Sequence, residues 1–182
     1  AEIVGIEAEI LWLATDNVTL GGNFSFTPSE YTEDLDILDP ARVETPTSLY
    51  PDRSANTSNI NGNQLLQVPE SKLTVFGTYS VPLNDGAKLD LSSVYSWTDE
   101  VFYSPFENDR ERAEAYGRLD LRATWTNAKQ NLVVAGYVNN VLDDVAVLQA
   151  LRHGESENFR QSAGTTLPRA YGVEVTLNFG GN

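Results

Sequence analysis

The stretch "YGVEVTLNF", residues 171–179, alternates in polarity without a break. A period of two places successive side chains on opposite faces of a β-strand. One face is wholly apolar and comprises Tyr171, Val173, Val175, Leu177 and Phe179. The opposite face is small, polar or charged and comprises Gly172, Glu174, Thr176 and Asn178. The two faces must meet different media, and the medium against the apolar face decides what kind of protein this is.

The same alternation recurs along the chain, for example in "YGRLDLRATWT" and "KLDLSSVYSW". Each such segment predicts a strand with one apolar and one polar face. The segment "NLVVAGYVNNV" alternates less regularly and is predicted to be a strand mainly from its composition. The sequence therefore predicts about seven strands, at residues 3–13, 17–31, 69–82, 87–103, 114–126, 130–140 and 167–179.

The predicted connections alternate in length. The short ones, "ATDN", "LNDGA" and "TNAKQ", contain the Asp, Asn and Gly residues typical of turns. The long ones are polar and cover residues 32–67, 104–113 and 141–166. Short turns at one end and long loops at the other predict an all-β, antiparallel, up-and-down sheet, which is how outer-membrane barrels are built.

Composition excludes several classes of function. The net charge of −14 argues against a nucleic-acid partner, because phosphate binding depends on Lys and Arg. The chain has no cysteine and one histidine, His153, so it holds no disulfide, no thiolate site and no zinc site built from several histidines. We find no Ser–His–Asp order and no Gly-rich phosphate loop. We therefore assign no catalytic residue, no metal ligand and no cofactor, and expect no enzyme.

Periodicity alone does not decide whether the apolar faces contact a protein core or lipid. A soluble β-sandwich buries its apolar faces against each other, whereas a transmembrane barrel exposes them to lipid and lines its lumen with the polar faces. Trp12, Trp125 and Phe179 lie on apolar faces near the short-turn ends, and Tyr and Trp collect at membrane–water interfaces. The predicted strand 87–103 is also longer than is usual for a soluble sheet. Both observations favour the barrel, and a soluble β-rich binding or adhesion module, with its long loops as the recognition surface, is the alternative.

Four stretches resemble a known family. "YVNNVLDD" (137–144) resembles the "NLFD" signature of TonB-dependent outer-membrane receptors, with Val and Leu in place of the usual Leu and Phe. "LPRAYGVEVTLNF" (167–179) resembles the last strand of that family, although "GGN" follows the Phe at which the family usually stops. "GIEAEI" (5–10) and "GNQLLQVPESKLTVFGTYSV" (62–81) are similar to two earlier segments. The four stretches occur in the family's order.

The resemblance implies a barrel of about 22 strands that is closed by an N-terminal plug domain. Residues 1–182 then form the C-terminal part of one barrel domain, without the plug and the earlier strands. It also implies energy-dependent uptake of a scarce ligand, such as a siderophore–metal chelate, cobalamin or an oligosaccharide. A TonB-type energy-transducing complex would act through the missing N-terminal part. The C-terminus would lie in the periplasm, so the long loops would be extracellular, next to lipopolysaccharide.

The longest predicted loop, residues 32–67, is acidic, with a net charge of −4. It includes Asp34, Asp36 and Asp39, whose oxygens are conceivable ligands for calcium, but the EF-hand pattern is missing. We interpret it as a solvated acidic loop, which would suit a neutral ligand, a cationic ligand or one that carries a metal.

Aromatic and histidine side chains in the long loops are the candidate ligand contacts. Tyr31 directly precedes the acidic loop and Tyr50 lies within it. Both are candidates because aromatic rings stack on sugars and on flat chelates. His153 and Phe159 lie in "LRHGESENFRQ" of the last long loop. The alternative for this segment is an exposed loop with one histidine that has no function.

Substitution of Leu121 tests the assignment of the two faces. We expect Leu121→Arg to cost about 2–4 kcal/mol of stability if Leu121 faces lipid near the bilayer midplane. The same change at Thr124 should cost little, because Thr124 belongs to the polar face with Arg122. Denaturant unfolding of the complete protein in lipid vesicles measures both values, and an equal cost at the two positions would contradict the assignment.

Overall fold

The computed structural model describes residues 1–39, 57–153 and 160–179. Over these residues the protein is all-β, apart from a single 3-10 turn at Asp109–Glu111. One sheet of seven strands dominates the structure. Its strands are β1 (Ile6–Thr15), β2 (Val18–Phe26), β3 (Ser71–Pro82), β4 (Lys88–Thr98), β5 (Tyr116–Thr126), β6 (Leu132–Asn139) and β7 (Ala170–Leu177).

The spatial order of the seven strands is their order in the chain. Each strand pairs antiparallel with the next, from β1 at one edge to β7 at the other. The predicted up-and-down sheet is therefore confirmed. The two edge strands do not pair with each other, so the sheet is open.

The short turns form at one end of the sheet, as predicted. Between β3 and β4, Gly86 adopts a φ of 82°, a conformation that suits glycine, and the backbone N–H of Ala87 donates to the Asp85 side chain at 3.0 Å. Between β5 and β6, Oδ1 of Asn127 accepts the backbone N–H groups of Asn131 and Leu132, both at 3.0 Å. These side chains satisfy turn backbone that has no partner in the ladder.

The register separates the two faces across the whole sheet, because directly paired residues point to the same side. One such row on the apolar side passes through Trp12, Leu20, Gly77, Ser93, Leu121, Val138 and Tyr171. A row on the polar side passes through Thr19, Thr78, Ser92, Arg122, Tyr137 and Gly172. Leu121 and Arg122 therefore lie on opposite faces, as the alternation predicts.

The apolar face has no protein cover among the described residues. Ile10 is 65% exposed, Val173 is 73% exposed and Tyr171 is 82% exposed. A soluble sandwich would bury these side chains under a second sheet, but the other strands of the described ranges are short pairs at the long-connection end. The exposed apolar face argues against the soluble alternative and for an apolar medium outside the chain. No helix in these ranges combines the length and hydropathy needed to cross a membrane.

Two predicted strands are too long. The prediction 17–31 is interrupted after Phe26, because Pro28 lacks the N–H that the ladder requires. The next residues, Ser29–Glu30, pair instead with Glu2–Ile3. The prediction 87–103 is interrupted after Thr98, where the Asp99 side chain accepts the N–H of Glu100 at 2.9 Å and turns the backbone.

The long connections contain strands that the sequence analysis missed. Val147–Arg152 and Gln161–Thr165 pair as a hairpin inside the predicted loop 141–166. Asp36–Leu38 pairs with Thr57–Asn59 inside the predicted loop 32–67. Arg112–Ala113, inside the predicted loop 104–113, pairs with Val101–Phe102, which lies within the predicted strand 87–103. The last strand was predicted to begin at residue 167 but begins at Ala170. Pro168 has no N–H for the ladder, and the N–H of Arg169 donates to the Asp143 side chain instead.

Asn140 fastens the end of β6 to the chain that enters β7. It is 1% exposed and adopts a φ of 52°, a left-handed conformation that Asn tolerates better than most residues. Its Nδ2 donates to the carbonyls of Asp144 at 3.0 Å and Leu167 at 3.1 Å, and Oδ1 accepts the Asp144 N–H at 3.3 Å. The two stretches that carry the strongest family resemblance are thus joined by one side chain.

Arg169 adds a second connection between the same two segments. Its backbone N–H donates to Oδ1 of Asp143 at 2.8 Å, and its guanidinium approaches Oδ2 of the same carboxylate at 3.5 Å. The "NNVLDD" turn therefore positions the entry to the last strand of the sheet.

Replacement of Asn140 tests this connection. Asn140→Ala removes buried hydrogen bonds and strains the left-handed backbone, so we expect a loss on the order of 2–4 kcal/mol. Asn140→Gly removes the same bonds without the strain and should cost less. Thermal unfolding of the complete protein in detergent measures both, with Asn178→Ala, at an exposed position, as the control. An equal loss in the control would contradict the role of Asn140.

Candidate functional site

The polar face carries a group of paired charges, which we call the polar wall: Arg118, Asp120, Arg122, Tyr137 and Glu174. The Arg122 guanidinium on β5 donates to the Glu174 carboxylate on β7, across the intervening strand. Arg118 Nε donates to Oδ1 of Asp120 at 3.0 Å. Two arginines and two carboxylates thus neutralise each other along this face.

Tyr137 of β6 lies between the charges of the polar wall. The Arg122 guanidinium carbon is 5.8 Å from the centre of the Tyr137 ring, within the range of a cation–π contact. The ring covers Gly172, its directly paired partner on β7. A cavity of about 380 Å³ opens beside these residues and is lined also by Ser92 and Asn139. The wall is suited to hydrogen bonding with another protein surface or with water, and it contains no arrangement suited to catalysis.

A second group lies at the long-connection end, beyond the ends of the main strands. Five carboxylates line a cavity of about 540 Å³ there. We call this group the acidic cup, and its carboxylates are Glu2, Glu30, Glu70, Glu100 and Glu107. The sequence analysis missed the cup because its members come from four separate segments, which only the pairing of strands brings together.

Two of the four sequence-predicted ligand residues, Tyr31 and His153, lie in the part of the chain that the structure describes. Tyr31 lies next to the cup, where its backbone N–H donates to the Asn63 carbonyl at 2.9 Å and its carbonyl accepts from Gly62 at 2.7 Å. His153 lies at the end of the Val147–Arg152 strand, with Nε2 3.3 Å from Oγ of Ser162. Tyr50 and Phe159 fall outside the described residues.

Two aspartates of the acidic loop accept hydrogen bonds from other residues of the same loop. Asp39 is buried and accepts a hydrogen bond from Ser58 Oγ at 2.8 Å, and Asp34 accepts from Asn61 Nδ2 at 3.0 Å. Within residues 1–39, 57–153 and 160–179, no three acidic or histidine side chains are grouped so that they can hold a metal ion.

Tyr103 connects the acidic-cup side of the molecule to the hairpin that carries His153. Its hydroxyl donates to the Val147 carbonyl at 3.0 Å. Burial raises the pKa of Tyr103 above its ordinary value, and the neighbouring Tyr116 adds to the shift. Because a phenol is protonated at neutral pH even without this shift, the raised pKa extends the pH range of the hydrogen bond upward.

Comparison with known proteins agrees with this geometry. The family description "TonB dependent receptor-like, beta-barrel" matches residues 1–141. The structure is similar to the ferric yersiniabactin uptake receptor FyuA from Yersinia pestis, with a TM-score of 0.73 and 16% identity, over 97% of this chain and 23% of that one. It is also similar to the siderophore receptor PiuA from Acinetobacter baumannii, with a TM-score of 0.67 and 20% identity, over 96% of this chain and 21% of that one. No curated protein sequence matches the chain.

The family match and the open two-faced sheet define part of a receptor-like β-barrel, and the two similar structures share its fold. The chain belongs to the TonB-dependent receptor family, as a portion of its barrel. The resemblance drawn from the sequence motifs is confirmed. The chain spans less than a quarter of the length of either similar structure, at 23% and 21%.

Gly172 allows a matched test of the polar wall. A Cβ at Gly172 would lie 2.5 Å from Tyr137 Oη, whereas a Cβ at Gly136 of β6 would meet nothing within 4 Å. We therefore expect Gly172→Ala to cost about 1–3 kcal/mol, and Gly136→Ala to cost little. Urea unfolding of the complete protein in detergent or lipid measures both. A second change, Tyr137→Ala, should remove most of the difference between Gly172→Ala and its parent, and failure to do so would contradict the contact.

Proposed function

We propose that this chain is the C-terminal part of an outer-membrane receptor that takes up a scarce ligand with energy from a TonB-type complex. The observation that carries the proposal is the match to the receptor barrel over residues 1–141, together with an open seven-stranded sheet whose apolar face is exposed. The ligand is a siderophore–metal chelate, cobalamin or an oligosaccharide. The siderophore–metal chelate is the first to test, because the two similar structures are a ferric yersiniabactin uptake receptor and a siderophore receptor.

The open edges support a larger barrel. In hydrocarbon, each unpaired backbone N–H or C=O costs several kcal/mol, so a membrane sheet must close on itself. Strands β1 and β7 lie at opposite edges and point in the same direction, because they are the first and last of seven strands that alternate in direction. Further strands, outside this sequence, pair with both edges and complete a barrel of about 22 strands.

The polar wall is the lumen lining in this proposal, and the apolar face contacts lipid. Paired charges such as Arg122 and Glu174 suit a surface that meets the plug domain and ordered water, because neither charge is left uncompensated. The TonB-type complex would contact the N-terminal part of the receptor and not this chain.

The orientation follows from the family resemblance of the last strand. The C-terminus and the three short turns face the periplasm, and the long connections reach outside, among the lipopolysaccharide head groups. Tyr31, Tyr50, His153 and Phe159 are then on the side where ligand arrives. Tyr31 adjoins the acidic cup, which makes it the best supported of the four ligand contacts.

Uptake measurements test the proposed function. The complete receptor is produced in a Gram-negative host that lacks its own receptors, and radiolabelled ferric siderophores, cobalamin and oligosaccharides are offered in turn. We expect accumulation of one class that stops when the TonB-type partner is deleted or the membrane is de-energised. Accumulation that is independent of both, or a purified protein that stays soluble and folded without detergent, would contradict the proposal.

Trypsin treatment of intact cells tests the orientation. Arg42 and Arg53 lie in the connection 32–67, and Lys129 lies in the short turn between β5 and β6. We expect cleavage within 32–67 in intact cells and cleavage at Lys129 only after the outer membrane has been opened, as mapped by mass spectrometry of the fragments. The reverse order would show that the topology is inverted.

A further inference from the structure

The apolar face of the seven main strands carries no charged side chain. The register places all nine charged residues of these strands on the polar face. They are Glu7, Glu9, Lys72, Lys88, Asp90, Arg118, Asp120, Arg122 and Glu174. A protein partner surrounds an apolar centre with polar and charged groups, whereas hydrocarbon offers none. The partner that fits this face over its whole extent is therefore the hydrocarbon of a bilayer.

One group of aromatic side chains follows the short-turn margin of the apolar face. We call it the short-turn belt, and it comprises Trp12, Tyr79 and Trp125 on β1, β3 and β5. Trp12 belongs to the row of Gly77, and Tyr79 lies two residues beyond Gly77 toward the turns. Ala123 belongs to the row of Tyr79, and Trp125 lies two residues beyond Ala123 toward the turns. The belt therefore crosses the rows by one residue per strand.

A second group of aromatic side chains follows the long-connection margin of the same face. We call it the long-connection belt, and it comprises Phe26, Trp97 and Tyr171 on β2, β4 and β7. The partner of Phe26 on β3 is Ser71 and that of Trp97 is Leu73, a shift of two residues toward the turns. From Trp97 to Tyr171 the shift is four more residues over three strands. This belt also crosses the rows by about one residue per strand, in the same direction as the first.

The two belts are thus parallel, and the face between them is aliphatic or small. Phe24 and Tyr95 are the other aromatic residues on this face of the seven strands, and each lies two residues from a member of the long-connection belt. On β4, Trp97 is about seven residues from the level of the short-turn belt, midway between the partners of Tyr79 and Trp125. Seven residues span about 24 Å along a strand.

The slope of the belts gives the tilt of the strands. A shift of one residue, about 3.4 Å, for each strand spacing of about 4.8 Å corresponds to a tilt of about 35°. Strands of membrane barrels tilt by roughly 35–45°, and their apolar band is roughly 25 Å tall. At a tilt of about 35° the two belts are about 20 Å apart along the membrane normal, which places them at the margins of such a band.

We propose that the two belts contact the two lipid–water interfaces of one bilayer, so that the strands cross the membrane at a tilt of about 35°. The long-connection belt lies at the level of the outer head groups, and the short-turn belt lies at the level of the inner ones. Aromatic rings collect at these levels. The inference rests on the proposed function for the direction of the sheet, and it adds the depth of each lipid-facing residue.

Spin labels on single cysteines test the level of the long-connection belt. The chain has no cysteine, so a nitroxide can be attached at one position at a time in the complete receptor after any cysteine elsewhere is replaced. Phe26→Cys, Trp97→Cys and Tyr171→Cys are labelled and placed in phosphatidylcholine vesicles. Depth is measured from collisions with oxygen, which concentrates in hydrocarbon, and with a nickel chelate, which stays in water. We expect the three labels at one depth, at the edge of the hydrocarbon.

A single row provides the decisive comparison. Leu20, Leu121 and Tyr171 belong to one row, so untilted strands would place labels at these positions at equal depth. The proposed tilt places Leu20 in the half of the bilayer next to the short turns, Leu121 near the centre and Tyr171 at the outer interface. Equal depths along the row would overturn the proposal, and so would unequal depths within the long-connection belt.

Arginine substitutions in the same row test the order of depths through stability. An arginine is costly at the centre of a bilayer and costs little at its interface. Relative to Leu121→Ala, Leu121→Arg should raise the unfolding constant in vesicles about 30-fold or more. Relative to Tyr171→Ala, Tyr171→Arg should raise it less than about fivefold. Similar ratios at the two positions would overturn the proposed tilt.

Neither measurement needs a ligand or an energy source, so its outcome is separate from that of the uptake experiment. A receptor with the expected depths that accumulates nothing would refute the proposed uptake and leave the belts in place. A receptor that accumulates a ligand but has equal depths along the row would refute the belts alone.

Discussion

Backbone hydrogen bonding in an apolar medium is the constraint on which the rest of this structure depends. A single sheet with Ile10, Val173 and Tyr171 exposed on one face has no core of its own. Its apolar side chains are stabilised by folding only if lipid surrounds them. A sheet is stable in lipid only if every backbone N–H and C=O within it is hydrogen-bonded. The continuous ladder from β1 to β7 meets that requirement internally, and only the two edges depend on further strands. A closed barrel satisfies this physical requirement, because it leaves no edge unpaired.

The alternation of polar and apolar residues was sufficient to predict the sheet. Each of the seven main strands was predicted, and their antiparallel order followed from the contrast between turns such as "LNDGA" and the long connections. The period of two is strictly imposed wherever the two faces meet different media, because a shift of one residue would exchange Leu121 for Arg122. The predicted strand boundaries were wrong only where this requirement for alternating polarity no longer applies. Beyond Phe26 and Thr98, local features such as Pro28 and the Asp99 side chain end the strands.

The candidate site was less predictable because its contacts join distant segments. Asn140 was noticed only as part of a motif, yet its side chain bonds to the Leu167 carbonyl, 27 positions later. The acidic cup is similar: Glu2, Glu30, Glu70 and Glu100 are unremarkable in the sequence and meet only through pairing at the ends of the strands. The hairpin at Val147–Arg152 was missed because "VLQALR" lacks the regular alternation of the membrane strands. The spatial position of a single aromatic or histidine residue in a loop, such as Tyr31 or His153, cannot be predicted from a pattern, whereas the position of a strand residue can.

The two polar groups differ in how their charges are balanced, and the difference matches their positions. In the polar wall, Arg118 pairs with Asp120 and Arg122 with Glu174, so this part of the face presents hydrogen-bonding groups without a strong field. Such a surface can meet another protein domain and release it, because neither partner has to bury an unpaired charge. At the long-connection end, Glu30 and Glu70 have no cation of their own among the described residues, and the field there remains negative.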